Sequence, residues 1–199
     1  MTLAVMGHWW RTEPPVTHGT VSNTSVFFLI INKPTPAMTD PPIALRPAQP
    51  DDEDFLFDLY AGTRRAEMEA WGLDDAMLAQ MLRMQFAGQQ GTYRAQFPQA
   101  DHRIILHDGV PVGRILIDRE GPEIVLVDVA LVPALRGRGI GTWLLKDLLA
   151  EAAEADRPVR LKVVLTNPAR RLYERLGFVG LGNDGVYEQM EWRSDFESS

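Results

Sequence analysis

The chain of 199 residues contains no cysteine. That excludes disulfides, thiol nucleophiles and cysteine-ligated zinc, and it fits a cytoplasmic enzyme, the compartment expected here. Histidine is scarce. His8, His18, His102 and His107 show no metal-ligand spacing, so no metal is expected, and His102 and His107 read as strand-surface residues. Basic charge is in deficit: 20 Lys and Arg against 27 Asp and Glu leave a net charge of −7, which argues against a nucleic-acid partner. No apolar run approaches the ~18 residues of a membrane helix, so no membrane partner is expected either. What is present, a 45% hydrophobic composition, suffices for one packed domain.

Charge is nearly missing from residues 1–37, which hold only Arg11, Glu13 and Lys33, together with Trp9, Trp10 and four prolines. The run Val26 to Ile31 is too short for a signal-peptide core. It reads either as an extra edge strand or as part of a poorly ordered extension. The extension reading is preferred, because Met38-Thr39-Asp40 looks like a natural beginning and regular patterning starts just after it. The expected organisation is therefore an extension over 1–37 and a single domain over 38–199.

From Ile43 the pattern becomes regular. Ile43 to Arg46 is a short strand, and Asp51 or Asp52 can cap a helix carrying Phe55, Leu56, Leu59 and Tyr60. Leu73 to Phe86 has helical period, with Asp74 or Asp75 as cap. Arg103–His107 and Val110–Asp118 form a hairpin across Asp108-Gly109. Glu123 to Leu131 reads as a buried strand that Pro133 ends. Val159 to Leu165 is a further strand, broken at Asn167-Pro168. After a short helix ended by Gly177 come two last strands, Phe178 to Leu181 and Val186 to Trp192.

Two segments carry chemistry. In the first, the strand ending at Leu131 is followed by Arg136-Gly137-Arg138-Gly139-Ile140-Gly141-Thr142 and then by Trp143, Leu144, Leu145, Leu148, Leu149 and Ala152 at helical spacing. Strand, glycine loop and helix make an anion site: glycines admit a close backbone, and the first helical turn presents free N–H groups at a positive dipole end. Arg136 and Arg138 add charge. The spacing is not that of a dinucleotide fingerprint, because Thr142 stands where the third glycine belongs, and there is no P-loop lysine. The second segment is Asn167-Pro168-Ala169-Arg170-Arg171-Leu172-Tyr173-Glu174-Arg175-Leu176-Gly177-Phe178.

R-x-x-G-x-G at Arg136, Gly139 and Gly141, followed about thirty residues on by the Asn and the Leu-Tyr-Glu-Arg-Leu-Gly-Phe run, resembles the GNAT superfamily of acetyl-CoA-dependent N-acetyltransferases. The resemblance covers roughly residues 43–192 in order of elements. It implies an α/β fold of GNAT type: a central, mostly antiparallel mixed sheet with a splayed parallel strand pair and helices on both faces. It implies acetyl-CoA as co-substrate, gripped by Arg136, Gly137, Arg138, Gly139, Ile140, Gly141, Thr142 and Asn167. Tyr173 would point at the thioester sulfur. Asn167 and Ala169 stand one residue closer together than in the commoner family spacing.

Strands ending at Pro133 and Pro168 are expected to part there, freeing backbone groups of Val129, Ala130 and Leu131 for pantetheine and the acetyl carbonyl. Tyr173 is the candidate acid for the leaving thiolate, its alternative being a core tyrosine with its hydroxyl satisfied by backbone. Asp128, the only carboxylate in the apolar run Ile124 to Val132, is the candidate base. Equally, it orients the acceptor or is satisfied by a neighbouring Arg. Glu123 is the runner-up. Where some relatives carry a strand Glu, this chain has Lys162. Glu67, Glu69, Trp71, Tyr93 and Asp184 are positioned to line an acceptor pocket for a small-molecule or protein amine. A homodimer is left open.

The function expected is direct N-acetyl transfer in a ternary complex. The alternatives are a catalytically silent coenzyme A-binding sensor, against which Tyr173 argues, and a nucleotide- or phosphate-binding enzyme using the same loop, which nucleotide rather than coenzyme A would protect. Because residues 1–37 carry no motif, a chain beginning at Met38 is expected to keep its melting temperature and coenzyme affinity in differential scanning fluorimetry. A large fall in melting temperature would make Val26 to Ile31 an integral strand.

Overall fold

The turn Asp108-Gly109 is where the sheet takes its first fixed register. Both residues have positive φ, 52° and 78°, the two-residue geometry whose twist matches that of the flanking strands. In the computed structural model, which describes residues 43–69 and 74–194, this turn joins β2 (Asp101–His107) to β3 (Val110–Asp118). β1 (Ile43–Pro47) lies antiparallel to β2, and β4 (Ile124–Leu131) antiparallel to β3. β4 then pairs in parallel with β5 (Val159–Val164), which is followed in space by β7 (Tyr187–Trp192) and β6 (Val179–Asn183). The seven strands form one mixed sheet in the order β1-β2-β3-β4-β5-β7-β6.

Helices cover both faces. α1 (Glu53–Glu69) and α2 (Asp75–Gln96) bury Leu56, Tyr60, Leu78, Leu82 and Phe86 against Ile104, while Tyr93 and Phe97 pack on Leu116, Val125 and Val127. α3 (Ile140–Glu154) and the short α4 (Arg170–Arg175) cover the other face, where Leu144, Leu145, Leu148 and Tyr173 meet Ile115, Leu126, Val129, Leu161 and Val163. Every residue of β4 is buried, as a strand sandwiched between two helical layers requires.

Three details depart from the sequence expectations. α2 does not end near Phe86 but runs ten residues further, through Gly88 and Gly91; Asp74 caps it, its Oδ1 accepting the Met77 N–H at 2.8 Å. His102 is half-buried rather than superficial, and burial, then the charge of Arg114, hold its imidazole down at about 4. Finally, β4 and β5 do not wait for the prolines to part. Their pairing runs from Ile124↔Val159 to Leu126↔Leu161 and stops. At that level the β3 partner jumps from Leu126 to Asp128, leaving Val127 as an extra residue on β4. Such a bulge bends its strand and increases the local twist, and it turns β4 away from β5 well before Pro133. Val26 to Ile31 and the rest of residues 1–42 lie outside the described residues.

Gly113 tests how tightly β3 and β4 approach. A Cβ there would collide with the Ala130 carbonyl oxygen and lie 2.8 Å from Leu131 Cδ2. The leucine tip can change rotamer, but the carbonyl oxygen cannot yield without moving β4. Gly113→Ala is expected to cost about 1–3 kcal/mol, a melting-temperature fall of roughly 2–4 °C per kcal/mol for a domain of this size, measurable by calorimetry.

Candidate functional site

The two strands that part at Leu126 and Leu161 open onto a cleft of about 460 Å³. Its walls are Val129 and Leu131 of β4, Arg136, Gly137 and Gly139 of the loop, Gly141, Thr142 and Leu145 of α3, and Pro168, Ala169, Leu172 and Arg175 on the α4 side. Seven of the residues picked out from sequence thus share one surface. A larger concavity of about 530 Å³ lies over β1–β3 beside α3, away from the parting strands, and is ringed by ion pairs such as Arg119–Glu151 at 2.5 Å.

The loop has the conformation its glycines suggested. Gly137 and Gly139 have φ of 73° and 86°, a region that strains other residues, and Gly139 caps α3 in the left-handed conformation. The N–H groups of Ile140, Gly141 and Thr142 belong to the first turn of α3 and have no partner within the helix. The side chain of Ile140 is core, so only its main chain is available to a ligand. Arg138 is exposed and is not part of the cleft wall. Arg136 folds back, its Nε donating to the Leu131 carbonyl at 3.0 Å, which ties the loop to the end of β4. Burial lowers the pKa of its guanidinium from the ordinary value.

Not all of the β4 backbone faces the cleft. The Val132 N–H donates to the Val112 carbonyl at 2.9 Å. By the alternation of an antiparallel ladder, Ala130 and Asp128 also turn their main-chain groups toward β3. Val129 and Leu131 are left facing the gap. Asn167 is outside the cleft wall: its Oδ1 accepts the Ala169 N–H at 3.0 Å, a local turn that the short Asn167–Ala169 spacing permits and that starts α4.

Tyr173 is fully buried, its ring edge-on to Phe178 with centroids 5.7 Å apart. Its hydroxyl has no hydrogen-bond partner among the described residues, so no described backbone group satisfies it as the core-tyrosine alternative requires. Burial first, then the negative charge of Asp128, raises its pKa, and the phenol stays protonated. Asp128 is fully buried too and ion-paired with Arg114 at 2.5 Å. Arg114 in turn donates to Gln89 Oε1 at 2.8 Å and stands 5.6 Å from the Tyr93 ring centre. The neighbouring Arg that sequence left as one reading of Asp128 is therefore present.

The other candidates are dispersed. Glu123 lies where β4 and β5 still pair and meets Arg160 at 3.3 Å. Asp184 accepts the Val186 and Tyr187 N–H groups in the turn between β6 and β7, which lowers its pKa. Tyr93 is a buried ring of the core, its pKa raised chiefly by burial. Trp71 and the side chains of Glu67 and Glu69 lie outside what the structure describes. Sequence reading missed Arg175, which a basic residue in the last turn of α4, on the side of Leu172, was signal enough to find. It also missed Arg114, whose role depends on a strand partner fourteen residues away. Among the described residues there is no cluster of His, Asp and Glu able to hold a metal ion, and no helix long and apolar enough to cross a membrane.

The model of the Acetyltransferase (GNAT) family matches residues 66–178. Among solved structures the fold is similar to that of the PaiA N-acetyltransferase from Thermoplasma acidophilum in complex with coenzyme A. That match has 18% identity over 76% of this chain and 98% of that one, with a TM-score of 0.58. It is similar also to an acetyltransferase from Thermus thermophilus, with 18% identity, 76% and 96% coverage and a TM-score of 0.55. A histone acetyltransferase HPA2 and related acetyltransferase from Corynebacterium glutamicum shares 23% identity over 76% and 95%, with a TM-score of 0.54. The family match spans more than half of the chain and takes in both the glycine loop and Tyr173, and with the mixed sheet and its splayed parallel pair this places the chain in the GNAT acetyltransferase family.

Proposed function

We propose that this protein is an N-acetyltransferase that moves the acetyl group of acetyl-CoA directly to a primary amine in a ternary complex. The observation that carries this reading is the Tyr173 hydroxyl, fully buried and without a partner among the described residues. A buried hydroxyl left unsatisfied costs about 1–3 kcal/mol, and a leaving sulfur at the parting of β4 and β5 would satisfy it. A catalytically silent coenzyme A-binding domain has no use for that hydroxyl. The likeness of the fold to an N-acetyltransferase in complex with coenzyme A supports the choice of co-substrate.

The residues fit such a donor. Gly137 and Gly139 have no described atom within 4 Å of where a Cβ would stand, so pyrophosphate oxygens can reach the main chain and the first-turn N–H groups of α3. Arg136 and Arg175 flank the same cleft and supply positive charge. The Val129 and Leu131 main chain, facing the gap, is suited to hydrogen-bond the pantetheine arm and polarise the thioester carbonyl. The neutral amine attacks the carbonyl carbon; the C–N bond forms as the C–S bond breaks; Tyr173 gives its proton to the departing sulfur and is reprotonated from solvent. The surplus proton of the amine leaves to a base or to water. Asp128 is the candidate for that base, while its contact with Arg114 supports the role of orienting the site through a buried ion pair.

Gly139→Val is expected to abolish the rise in melting temperature that acetyl-CoA gives the parent protein, because a branched side chain blocks the loop and strains a left-handed cap. An undiminished rise would remove the loop assignment.

Tyr173→Phe is expected to keep donor binding, since the ring still packs, and to lower turnover by roughly 10²–10⁴-fold, mainly in the chemical step. The loss shrinks with a donor whose thiol leaves more easily. For Asp128→Asn, a rate restored by raising pH identifies a base; a loss that pH does not restore identifies the ion-pair role. An unchanged rate for Tyr173→Phe at saturating donor, with a true acceptor, sinks the acid role.

A further inference from the structure

α2 has two apolar faces, and the fold uses one of them fully and the other only at Met81. Leu78, Leu82, Phe86 and Tyr93 face the sheet and α1. Along the outer side run Met77, Met81, Met84, Gly88, Gly91 and Ala95, separated by four, three, four, three and four residues, with Met81 at the edge nearest the core. This is the spacing of a helix–helix seam, and it holds no charged residue. Met77 is 50% and Met84 66% exposed; Met81 is half-buried, one side packed on the core of Leu78 and Leu82 and the other open, and Gly88, Gly91 and Ala95 are exposed.

The two glycines sharpen the question. Glycine in a helix interior is unfavourable relative to alanine, yet a Cβ at Gly88 or Gly91 would meet no described atom within 4 Å. Both have ordinary helical backbone, neither lines the acyl-transfer cleft, and nothing in the described packing of the chain requires them. They make sense where another backbone must come close.

The order of large and small residues says which backbone. The seam is symmetric about the level of Phe86. When the helix is laid antiparallel against a copy of itself with a two-fold axis at that level, Met84 faces Gly88, Met81 faces Gly91 and Met77 faces Ala95. Each flexible thioether then enters the space left by a missing side chain, and each small residue receives one. A parallel copy would set methionine against methionine at one end and glycine against glycine, leaving a void, at the other. We infer that the outer face of α2 is a homodimer interface in which two α2 helices pack antiparallel about a two-fold axis, methionine into glycine.

The interface is isologous, so it closes at two copies. It lies on the far side of α2 from Gln89 and Tyr93, the residues that hold Arg114. It leaves the acyl-transfer cleft open in both copies.

The test uses the full chain. Sedimentation velocity across a concentration series is expected to show a monomer–dimer equilibrium, and Met84→Glu, which puts a charge beside the dyad, to raise the dissociation constant at least tenfold with unchanged circular dichroism. Orientation is read by cross-linking, which the absence of native cysteine makes clean. A mixture of Met77→Cys and Ala95→Cys chains oxidises to a covalent heterodimer. Met77→Cys alone does not, since its two copies stand about 27 Å apart along the helices. A chain monomeric at all concentrations, a dimer indifferent to Met84→Glu, or covalent dimers of Met77→Cys alone would each overturn the inference. So would dimers that appear only when the chain begins at Met38, which would give this face to the preceding residues instead.

Discussion

Everything functional in this molecule follows from one failure of hydrogen bonding: β4 and β5 stop pairing at Leu126 and Leu161. Within a sheet, main-chain groups are consumed by neighbours. The extra residue Val127 turns β4 aside, and the main-chain groups of Val129 and the N–H of Leu131 then face the gap while their side chains remain packed. A gap in the middle of a sheet is unfavourable unless its walls are held by other means. Here α3 and α4 brace it from one face through Leu144, Leu145, Ala169 and Tyr173, and α2 from the other through Tyr93 and Phe97. The Arg136–Leu131 hydrogen bond ties the glycine loop to the end of β4.

The elements that were legible in the sequence are those specified locally. Asp108-Gly109 needs two positive φ angles and little else, and the hairpin follows. Gly137 and Gly139 similarly declare a left-handed loop, and the unbroken apolar run of β4 declares burial on both faces. What the sequence concealed is set by distant partners. The strands part at a bulge, and a bulge leaves no mark in Val125-Leu126-Val127-Asp128, so the visible prolines drew the boundary instead. α2 continues past Phe86 because Tyr93 and Phe97 find Leu116, Val125 and Val127, contacts that outweigh two helix-interior glycines. The same cause hid the setting of Asp128. Its Arg partner comes from β3 and that partner's own supports from α2, three segments no spacing rule connects.

The buried Arg114–Asp128 pair also shows how charge can be kept inside an acidic protein. Two ions removed from water gain from each other only when their remaining hydrogen-bonding capacity is met. Gln89 and the Tyr93 ring meet part of it for Arg114. The result is a fixed dipole inside the sheet at the level where the strands part, close enough for the charge of Asp128 to be felt at the Tyr173 hydroxyl. A negative charge held near a phenol discourages its ionisation, which suits the acid role proposed for Tyr173.

The orphaned hydroxyl of Tyr173 has a consequence for descent. Loss of one oxygen would relieve an unsatisfied buried group without disturbing the ring that packs on Phe178, so selection for stability alone pushes position 173 toward phenylalanine. Only use of the hydroxyl pushes back. Under the acid role proposed for Tyr173, the aromatic residue at that single position would therefore record whether turnover has been under selection: tyrosine where it has, and phenylalanine free to spread where only the ligand is still held.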